Sequence, residues 1–146
     1  MEFTIDPFVC AGPVMLGMRR QEVRKLSLGP MRSFKRTPSE LFPSDQFVEL
    51  GLVVSYKSAD VVETIELSRP AIPLFNGLNL FETPFEKVKV MFSQLDPHLA
   101  IDCDGLISKA IGVGLYVLGA DEPDDPEDSP EVLSVIVFER GYYDHQ

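Results

Sequence analysis

The sequence predicts an α+β fold of two tandem units, each a helix followed by antiparallel strands, which form one sheet with both helices packed on one face. Apolar residues recur at helical spacing in residues 16–26 and again in residues 80–95. Segments rich in β-branched and aromatic residues follow each helix, at 50–67 and 111–138. The same order of elements therefore occurs twice along the chain.

The chain of 146 residues is predicted to be a single domain built of two repeat units. Repeat unit 1 spans about 8–69 and repeat unit 2 about 74–143. The segment 68–79 lies between them and contains Pro70 and Pro73, but it also carries several large apolar residues. Because those residues favour burial, we interpret the segment as an ordered boundary and not as a flexible linker.

In the first unit, the predicted helix ends at a glycine followed by a proline. Gly29 can adopt the left-handed conformation that closes a helix, and Pro30 cannot continue it. Residues 47–67 are predicted to form a β-hairpin with its turn at 57–60. Residues alternate in polarity after that turn, which indicates that one face of the sheet is exposed to water.

The second unit carries clearer signals for the ends of its elements. Thr83 is predicted to cap the helix, with Pro84 at its first position and Glu86 completing a capping box. Asp104–Gly105 is typical of a two-residue hairpin turn. The nearly continuous apolar run at 111–118 predicts a central strand buried on both faces.

The predicted core joins the two helices to the strands, and each fully buried side chain contributes about 1.5–3 kcal/mol before entropy is subtracted. The helix residues expected to be buried are Val23, Leu26, Val88, Met91, Phe92 and Leu95. The strand residues expected to meet them are Leu52, Val54, Ile65, Val113, Leu115, Val135 and Val137.

Charge is unevenly distributed along the chain, whose net charge is −10. Residues 19–36 contain seven basic residues and one acid, whereas residues 121–131 contain seven acids and no base. The overall negative charge disfavours nucleic acid as the main partner, because the surface would repel phosphates. We interpret the basic segment as a solvated helix face. The alternatives are a contact with the acidic loop, within one chain or in a dimer, and nucleic-acid binding.

The residues give little support for a catalytic, cofactor or metal site. Neither His98 nor His145 lies in a pattern typical of a catalytic triad. The Gly-x-Gly at Gly112 lies inside a strand pattern, and Asp102 and Asp104 match a calcium loop only in part. We therefore expect no enzyme activity, no cofactor and no bound metal.

Cysteine usage and the absence of membrane or signal patterns predict a cytoplasmic protein. Cys10 and Cys103 are expected to be buried free thiols, since a disulfide between them would require an oxidising compartment. No apolar stretch is long enough to span a membrane. Residues 1–7 carry acids where a signal peptide needs basic residues.

The acidic loop at 121–131 is the candidate binding site. Concentrated charge speeds the encounter with an oppositely charged surface, so we expect a basic protein partner. Two tyrosines near the C-terminus are expected to be interface aromatics. A solubilising loop without a partner, and tyrosines that pack on the sheet, are the alternatives. The predicted partner-binding residues are Asp121, Glu122, Asp124, Asp125, Glu127, Asp128, Glu131, Tyr142 and Tyr143.

Several motifs resemble those of small bacterial immunity proteins encoded beside polymorphic and contact-dependent toxins. The opening is similar to their LGM-x-x-EV-x-x-L…LG pattern, with one extra residue before Glu22; it consists of Leu16-Gly17-Met18, Glu22-Val23, Leu26 and Leu28-Gly29-Pro30. Later elements that fit are Gly51-Leu52-x-Val54-x-Tyr56, Phe75-Asn76-Gly77-x-x-Leu80-Phe81, Gly112-x-Gly114-Leu115-Tyr116 and Gly141-Tyr142-Tyr143. The doubled plan also resembles, more loosely, the tandem units of β-lactamase-inhibitor-like proteins.

Both resemblances imply a binding scaffold, and neither carries over an active-site residue. We therefore predict a non-enzymatic binding protein, an immunity protein that neutralises a cognate toxin by covering its active surface. A small enzyme of an unrecognised class and a self-associating structural protein, a homo-oligomer, are the alternatives.

Overall fold

The protein is mostly β, as a computed structural model describing residues 1–123, 125 and 128–145 shows. Strands hold 38% of the residues and helices 16%, and the strands form two sheets, of five and eight strands. Only one helix among the described residues has seven or more residues. The predicted α+β fold with a single sheet is therefore wrong.

The helices are α1 (Arg20–Arg24) and α2 (Phe85–Leu95), and short 3₁₀ helices occur at Ser58–Asp60 and Tyr142–His145. The first strands are β1 (Glu2–Asp6), β2 (Cys10–Ala11), β3 (Val14–Met15), β4 (Met31–Phe34), β5 (Ser44–Phe47), β6 (Leu52–Lys57) and β7 (Val61–Leu67). The remaining strands are β8 (Ile72–Phe75), β9 (Leu78–Asn79), β10 (Ala100–Asp102), β11 (Gly105–Ser108), β12 (Val113–Tyr116) and β13 (Ser134–Phe138).

Two antiparallel meanders make up the larger sheet, whose order is β10-β11-β12-β13-β7-β6-β5-β4. The last strands of the two meanders, β7 and β13, pair antiparallel, with Ile65 opposite Val137. Each meander follows a helix in the chain, α1 before β4–β7 and α2 before β10–β13. The division into two repeat units stays a prediction.

The smaller sheet is the main reason why the fold class was predicted wrongly. Its order is β3-β2-β1-β8-β9, and β1 pairs with β8 in parallel, with Phe3 opposite Pro73. The segment 68–79 supplies both β8 and β9. It is therefore a structural part of a second sheet, and not only a boundary.

The first helix is much shorter than the pattern at 16–26 predicts, because backbone hydrogen bonds to β7 hold the residues before it in a non-helical conformation. The Gly17 N–H donates to the Val62 carbonyl oxygen at 2.8 Å, and the Val62 N–H donates to the Met18 carbonyl oxygen at 2.8 Å. Tertiary hydrogen bonds thus override the local helical preference. Helix α1 begins only at Arg20 and buries one residue, Val23.

Helix α2 packs against the smaller sheet. It buries Phe85, Val88 and Phe92, and the ring of Phe92 meets that of Phe75 in β8 edge to face, with centroids 5.4 Å apart. The predicted capping box is wrong: Pro84 is the N-cap and no side chain caps the helix. The Thr83 hydroxyl instead donates to the Asn79 carbonyl oxygen at 2.7 Å.

One core cluster joins both sheets and α2. All seven strand residues predicted for the core are buried. The helix predictions were less accurate, since Leu26 and Met91 are only partly buried and Leu95 is 48% exposed. Within the described part of the chain, neither helix has the length and apolar character needed to cross a membrane.

Candidate protein-binding surface

Acidic residues from two segments meet at one end of the larger sheet. The β10–β11 turn presents Asp102 and Asp104, and the chain beyond β12 presents further exposed carboxylates. Main-chain hydrogen bonds of 2.8 Å hold the segments together, from the Gly119 N–H to the Cys103 oxygen and from the Val117 N–H to the Asp104 oxygen. We call this surface the acidic end; its described residues are Asp102, Asp104, Asp121, Glu122, Asp125 and Asp128.

The negative potential at the acidic end acts on Cys103, which lies in the β10–β11 turn. Repulsion from Asp104, together with the charges of Asp102 and Asp121, raises the pKa of the Cys103 thiol. The prediction of two buried thiols is wrong, because Cys103 is exposed on this turn and Cys10 is only partly buried; both are free.

The Cys103 thiol and the carboxylates of Asp102 and Asp104 have ligand atoms within 4.8 Å of one another. Exposed groups on a single turn do not by themselves make a metal site, so we assign none to them.

Exposed apolar side chains lie beside these carboxylates. Val90 of α2, Ile101 of β10 and Leu118 are 51%, 37% and 57% exposed. Val90 and Ile101 line a shallow cavity of about 600 Å³ together with Ala120 and Asp121. We call Val90 and Ile101 the apolar patch; Leu118 does not line this cavity. Its position next to the acidic end gives one surface both an apolar centre and charged surroundings.

The structure places the predicted loop residues unevenly. Asp121, Glu122, Asp125 and Asp128 are exposed at the acidic end, whereas Asp124 and Glu127 lie outside the described residues. Glu131 forms an ion pair with Arg69 at 3.1 Å. Arg69 is itself held by the carbonyl oxygens of Val132 and Phe81, so the Glu131 carboxylate is directed toward its own chain.

Tyr142 and Tyr143 follow β13 in the chain and pack on the outer face of the larger sheet, beside Phe138 at the end of that strand. The ring of Tyr143 meets that of Phe138 edge to face at 4.9 Å, and the Tyr142 ring lies 6.0 Å from Phe138. Burial raises the pKa of both phenols. Both rings therefore have a packing role within the chain, and each remains partly exposed.

A buried carboxylate organises the basic segment, and sequence reasoning missed it. Asp45 of β5 is fully buried on the core face of the larger sheet. Arg24 donates to both of its oxygens, at 2.9 and 3.1 Å, and Arg20 donates to Oδ1 at 3.1 Å. The hydroxyls of Ser33 and Tyr56 each donate to it at 2.9 Å. We call these five residues the Asp45 cluster.

The charges in the Asp45 cluster stabilise one another. Burial alone would raise the pKa of the Asp45 carboxyl, but hydrogen bonds from Arg24, Ser33 and Tyr56 lower it below its ordinary value. Burial and the nearby Asp45 charge raise the pKa of Tyr56, which stays a neutral donor. The guanidinium of Arg20 lies 4.0 Å above the Tyr56 ring and its side chain is only 11% exposed.

The interpretation of the basic segment as a solvated helix face is therefore wrong for Arg20; the exposed Arg19 and Lys25 flank α1 and are not part of it. The sequence did contain a signal for the burial of Asp45, in the alternation of side chains between the two faces of β5. Asp45 lies two residues before Phe47, and residues at this spacing share one face of a strand. A carboxylate on a core face requires cationic partners, and the basic segment is where the chain offers them.

A second buried carboxylate lies at the end of α2 and does not make a catalytic site. Asp96 accepts the Ser108 hydroxyl at 2.7 Å and the His98 backbone N–H at 2.8 Å. Ser108 is fully buried and also accepts the Ile111 N–H at 3.0 Å, so its oxygen is enclosed. Burial would raise the pKa of the Asp96 carboxyl, but these hydrogen bonds hold it below its ordinary value. Among the described residues, Asp96 is the one acid that lines the cavity beside His98.

Comparison of the chain with protein-family models, with curated proteins and with solved structures gave no match. The geometry and charge of the surfaces described above are therefore the basis for inferring a function.

Proposed function

We propose that this chain is a non-enzymatic binding protein that docks a basic protein through its acidic end, as an immunity protein covers a toxin. One observation carries the proposal: the exposed side chains of the apolar patch lie beside the acidic end, and Asp121 lines the same cavity as Val90 and Ile101. Protein interfaces commonly combine an apolar centre with a polar rim. The charges would steer a basic partner toward this surface and the apolar side chains would hold it.

Charge also bears on what kind of partner fits. Two copies of this chain docked through their acidic ends would bring like charges together, at a cost in binding free energy. A basic partner instead neutralises them. The identification of that partner as a toxin rests on the motifs that resemble those of immunity proteins.

The decisive experiment measures association with the product of the reading frame next to this gene. The test variant removes four charges from the acidic end: Asp121→Asn, Glu122→Gln, Asp125→Asn and Asp128→Asn. We expect its association rate constant at low ionic strength to fall at least about tenfold, because electrostatic steering is lost. The difference should disappear at about 0.5 M salt, where exposed charges are screened. Stopped-flow fluorescence at both salt concentrations supplies the measurement.

A matched control removes the same total charge elsewhere, at exposed acids of the N-terminal half. The control substitutions are Glu2→Gln, Asp6→Asn, Glu22→Gln and Glu49→Gln. If the control slows association as much as the test variant does, net charge and not the acidic end is responsible. If the neighbouring product neither binds nor harms cells lacking this protein, the immunity function is rejected.

A further inference from the structure

A groove runs along the outer face of the larger sheet, beginning at the acidic end. Four residues on successive strands stand opposite one another on this face: Ala100, Ile107, Gly114 and Ile136. Ile107 and Ile136 are only partly buried, whereas Leu106, Leu115 and Val135 on the core face of β11, β12 and β13 are buried. We call Ile107, Gly114 and Ile136 the groove floor.

Gly114 leaves space at the centre of the floor, and the neighbouring isoleucine side chains fill it. A Cβ atom on this residue would lie 3.0 Å from Ile136 Cγ2 and 3.6 Å from Ile107 Cγ1, so the two isoleucines lean together above the glycine. The groove has a volume of about 330 Å³ and adjoins a second cavity of about 680 Å³. The two share Ala100, Ile107 and Tyr143, so they form one continuous depression.

The two ends of the groove carry opposite charge. Asp102 and Asp104 line one end, and at the other Lys109 is the exposed cation, beside His98 and the buried carboxylate of Asp96, whose hydrogen bonds from the Ser108 hydroxyl and the His98 N–H satisfy it within the chain. The pairing of Lys109 with Asp144, at 3.5 Å between largely exposed side chains, is weak. Glu66 on the groove wall is paired with Arg36 at 2.7 Å, so the floor between the ends is nearly neutral.

The length of the groove follows from β11, which runs along it. Gly105 lies at the acidic end and Lys109 follows the strand at the basic end, four residues further on. At about 3.4 Å per residue, the two ends are about 14 Å apart. An extended segment of five residues covers the same distance, and its first, third and fifth side chains point to one face.

We propose that the groove binds an extended segment of the protein partner, with a basic, an apolar and an acidic side chain at alternate positions. The basic side chain lies between Asp102 and Asp104, the apolar one rests on the groove floor, and the acidic one meets Lys109. Charge complementarity at both ends selects this pattern over a uniformly basic segment. The inference rests on the proposed function, since it gives the mode by which the partner of the acidic end is recognised.

The test uses a synthetic peptide as the probe, acetyl-Lys-Thr-Val-Thr-Glu-amide, whose blocked ends carry no terminal charge. It is titrated into the ¹⁵N-labelled full chain and followed by amide chemical shifts. We expect saturable shifts at Ile107, Gly114 and Ile136. Acetyl-Glu-Thr-Val-Thr-Glu-amide should bind at least about tenfold more weakly, because its first side chain meets like charge.

Three variants test the position and the charge of the site. Ile136→Glu places a charge in the floor and should abolish binding of the Lys/Glu peptide. Val53→Glu is the matched control. Val53 is partly buried on the same face, opposite Glu66, but Val53 itself does not line the groove. Lys109→Glu changes an exposed residue, and it should weaken the Lys/Glu peptide and favour acetyl-Lys-Thr-Val-Thr-Lys-amide.

The proposal is overturned by equal binding of the Lys/Glu and Glu/Glu peptides, by shifts located elsewhere, or by no saturable shift up to about 5 mM peptide. It is also overturned if Lys109→Glu leaves peptide preference unchanged, a measurement that remains available if Ile136→Glu does not fold. The two proposals fail separately. If neutralising the acidic end slows partner association while Lys109→Glu leaves partner affinity unchanged, the groove is rejected and the proposed function stands.

Discussion

The basic segment and the acidic loop are runs of opposite charge in the sequence, and the fold places their side chains in different environments. Two arginines of the basic segment turn inward and close around Asp45, which is fully buried. The described carboxylates of the acidic end are exposed, and Asp121 and Glu122 are among them. The arginines that bind Asp45 therefore stabilise the fold, whereas the carboxylates of the acidic end remain available at the surface.

The difference shows that a run of like charge in the sequence does not by itself reveal whether its side chains form buried ion pairs or stay exposed to water. When an opposite charge lies at a core-facing position of a nearby strand, residues of the run form internal ion pairs with it, and packing fixes the geometry of those pairs. A run without such a partner stays in water, where it acts at long range. The two regions should therefore respond very differently to the loss of charge.

The largest expected effect comes from Asp45→Asn. The substitution keeps the shape of the side chain but leaves the guanidinium groups of Arg20 and Arg24 without their buried anion. We expect the free energy of unfolding to fall by about 3–5 kcal/mol, the usual cost of breaking a buried ion pair from one side. Urea denaturation followed by circular dichroism measures it.

Asp60→Asn is the control for this prediction, because Asp60 contacts the same Arg20 at 3.2 Å but its side chain is 53% exposed. It should cost less than about 1 kcal/mol, as exposed ion pairs do. Equal costs for the two variants would show that burial does not set the strength of the Asp45 cluster.

A smaller effect is expected from pH. The pKa of Asp45 is lowered in the folded protein, so its contribution to stability is present above the unfolded-state pKa of about 3.9 and is lost as pH falls through the folded-state value. The difference in unfolding free energy between the wild type and Asp45→Asn should therefore narrow below about pH 4. Denaturation at a series of pH values tests this, and a constant difference down to pH 2 would contradict it.

The smallest effect is expected from the four-charge variant of the acidic end. Removing mutually repelling exposed charges should raise the free energy of unfolding by no more than about 1 kcal/mol. The gain should vanish in high salt, because those charges are then screened. A loss of more than about 2 kcal/mol would mean that the acidic end is part of the scaffold, which would remove the contrast between the two regions.

The parts of the fold that local pattern determines could be predicted from the sequence. The hairpin of β6 and β7 has its turn where 57–60 predicts one, and the apolar run at 111–118 contains the internal strand β12. The prediction that this strand is buried on both faces is wrong, since Tyr116 and Leu118 are 45% and 57% exposed. Alternation and turn residues act within a few positions, so a single sequence reveals them.

The parts that depend on distant partners could not be predicted. Strand β8 pairs in parallel with β1, far away in sequence, and this pairing joins the local hairpin of β8 and β9 to the smaller sheet. Helix α1 is short because Val62 binds the residues before it. The acidic end was visible as a charge run, but its closeness to Asp102 and Asp104 depends on how the β10–β11 turn folds.

The antiparallel pairing of β7 with β13 has a consequence for folding during translation. Leu67 leaves the ribosome well before its register partner Val135 has been translated. At about 5–20 residues per second, a delay of several seconds follows, during which one edge of a nascent four-stranded meander is bare. Slower translation between these two strands lengthens the interval in which that unpaired edge is available to other chains and to chaperones.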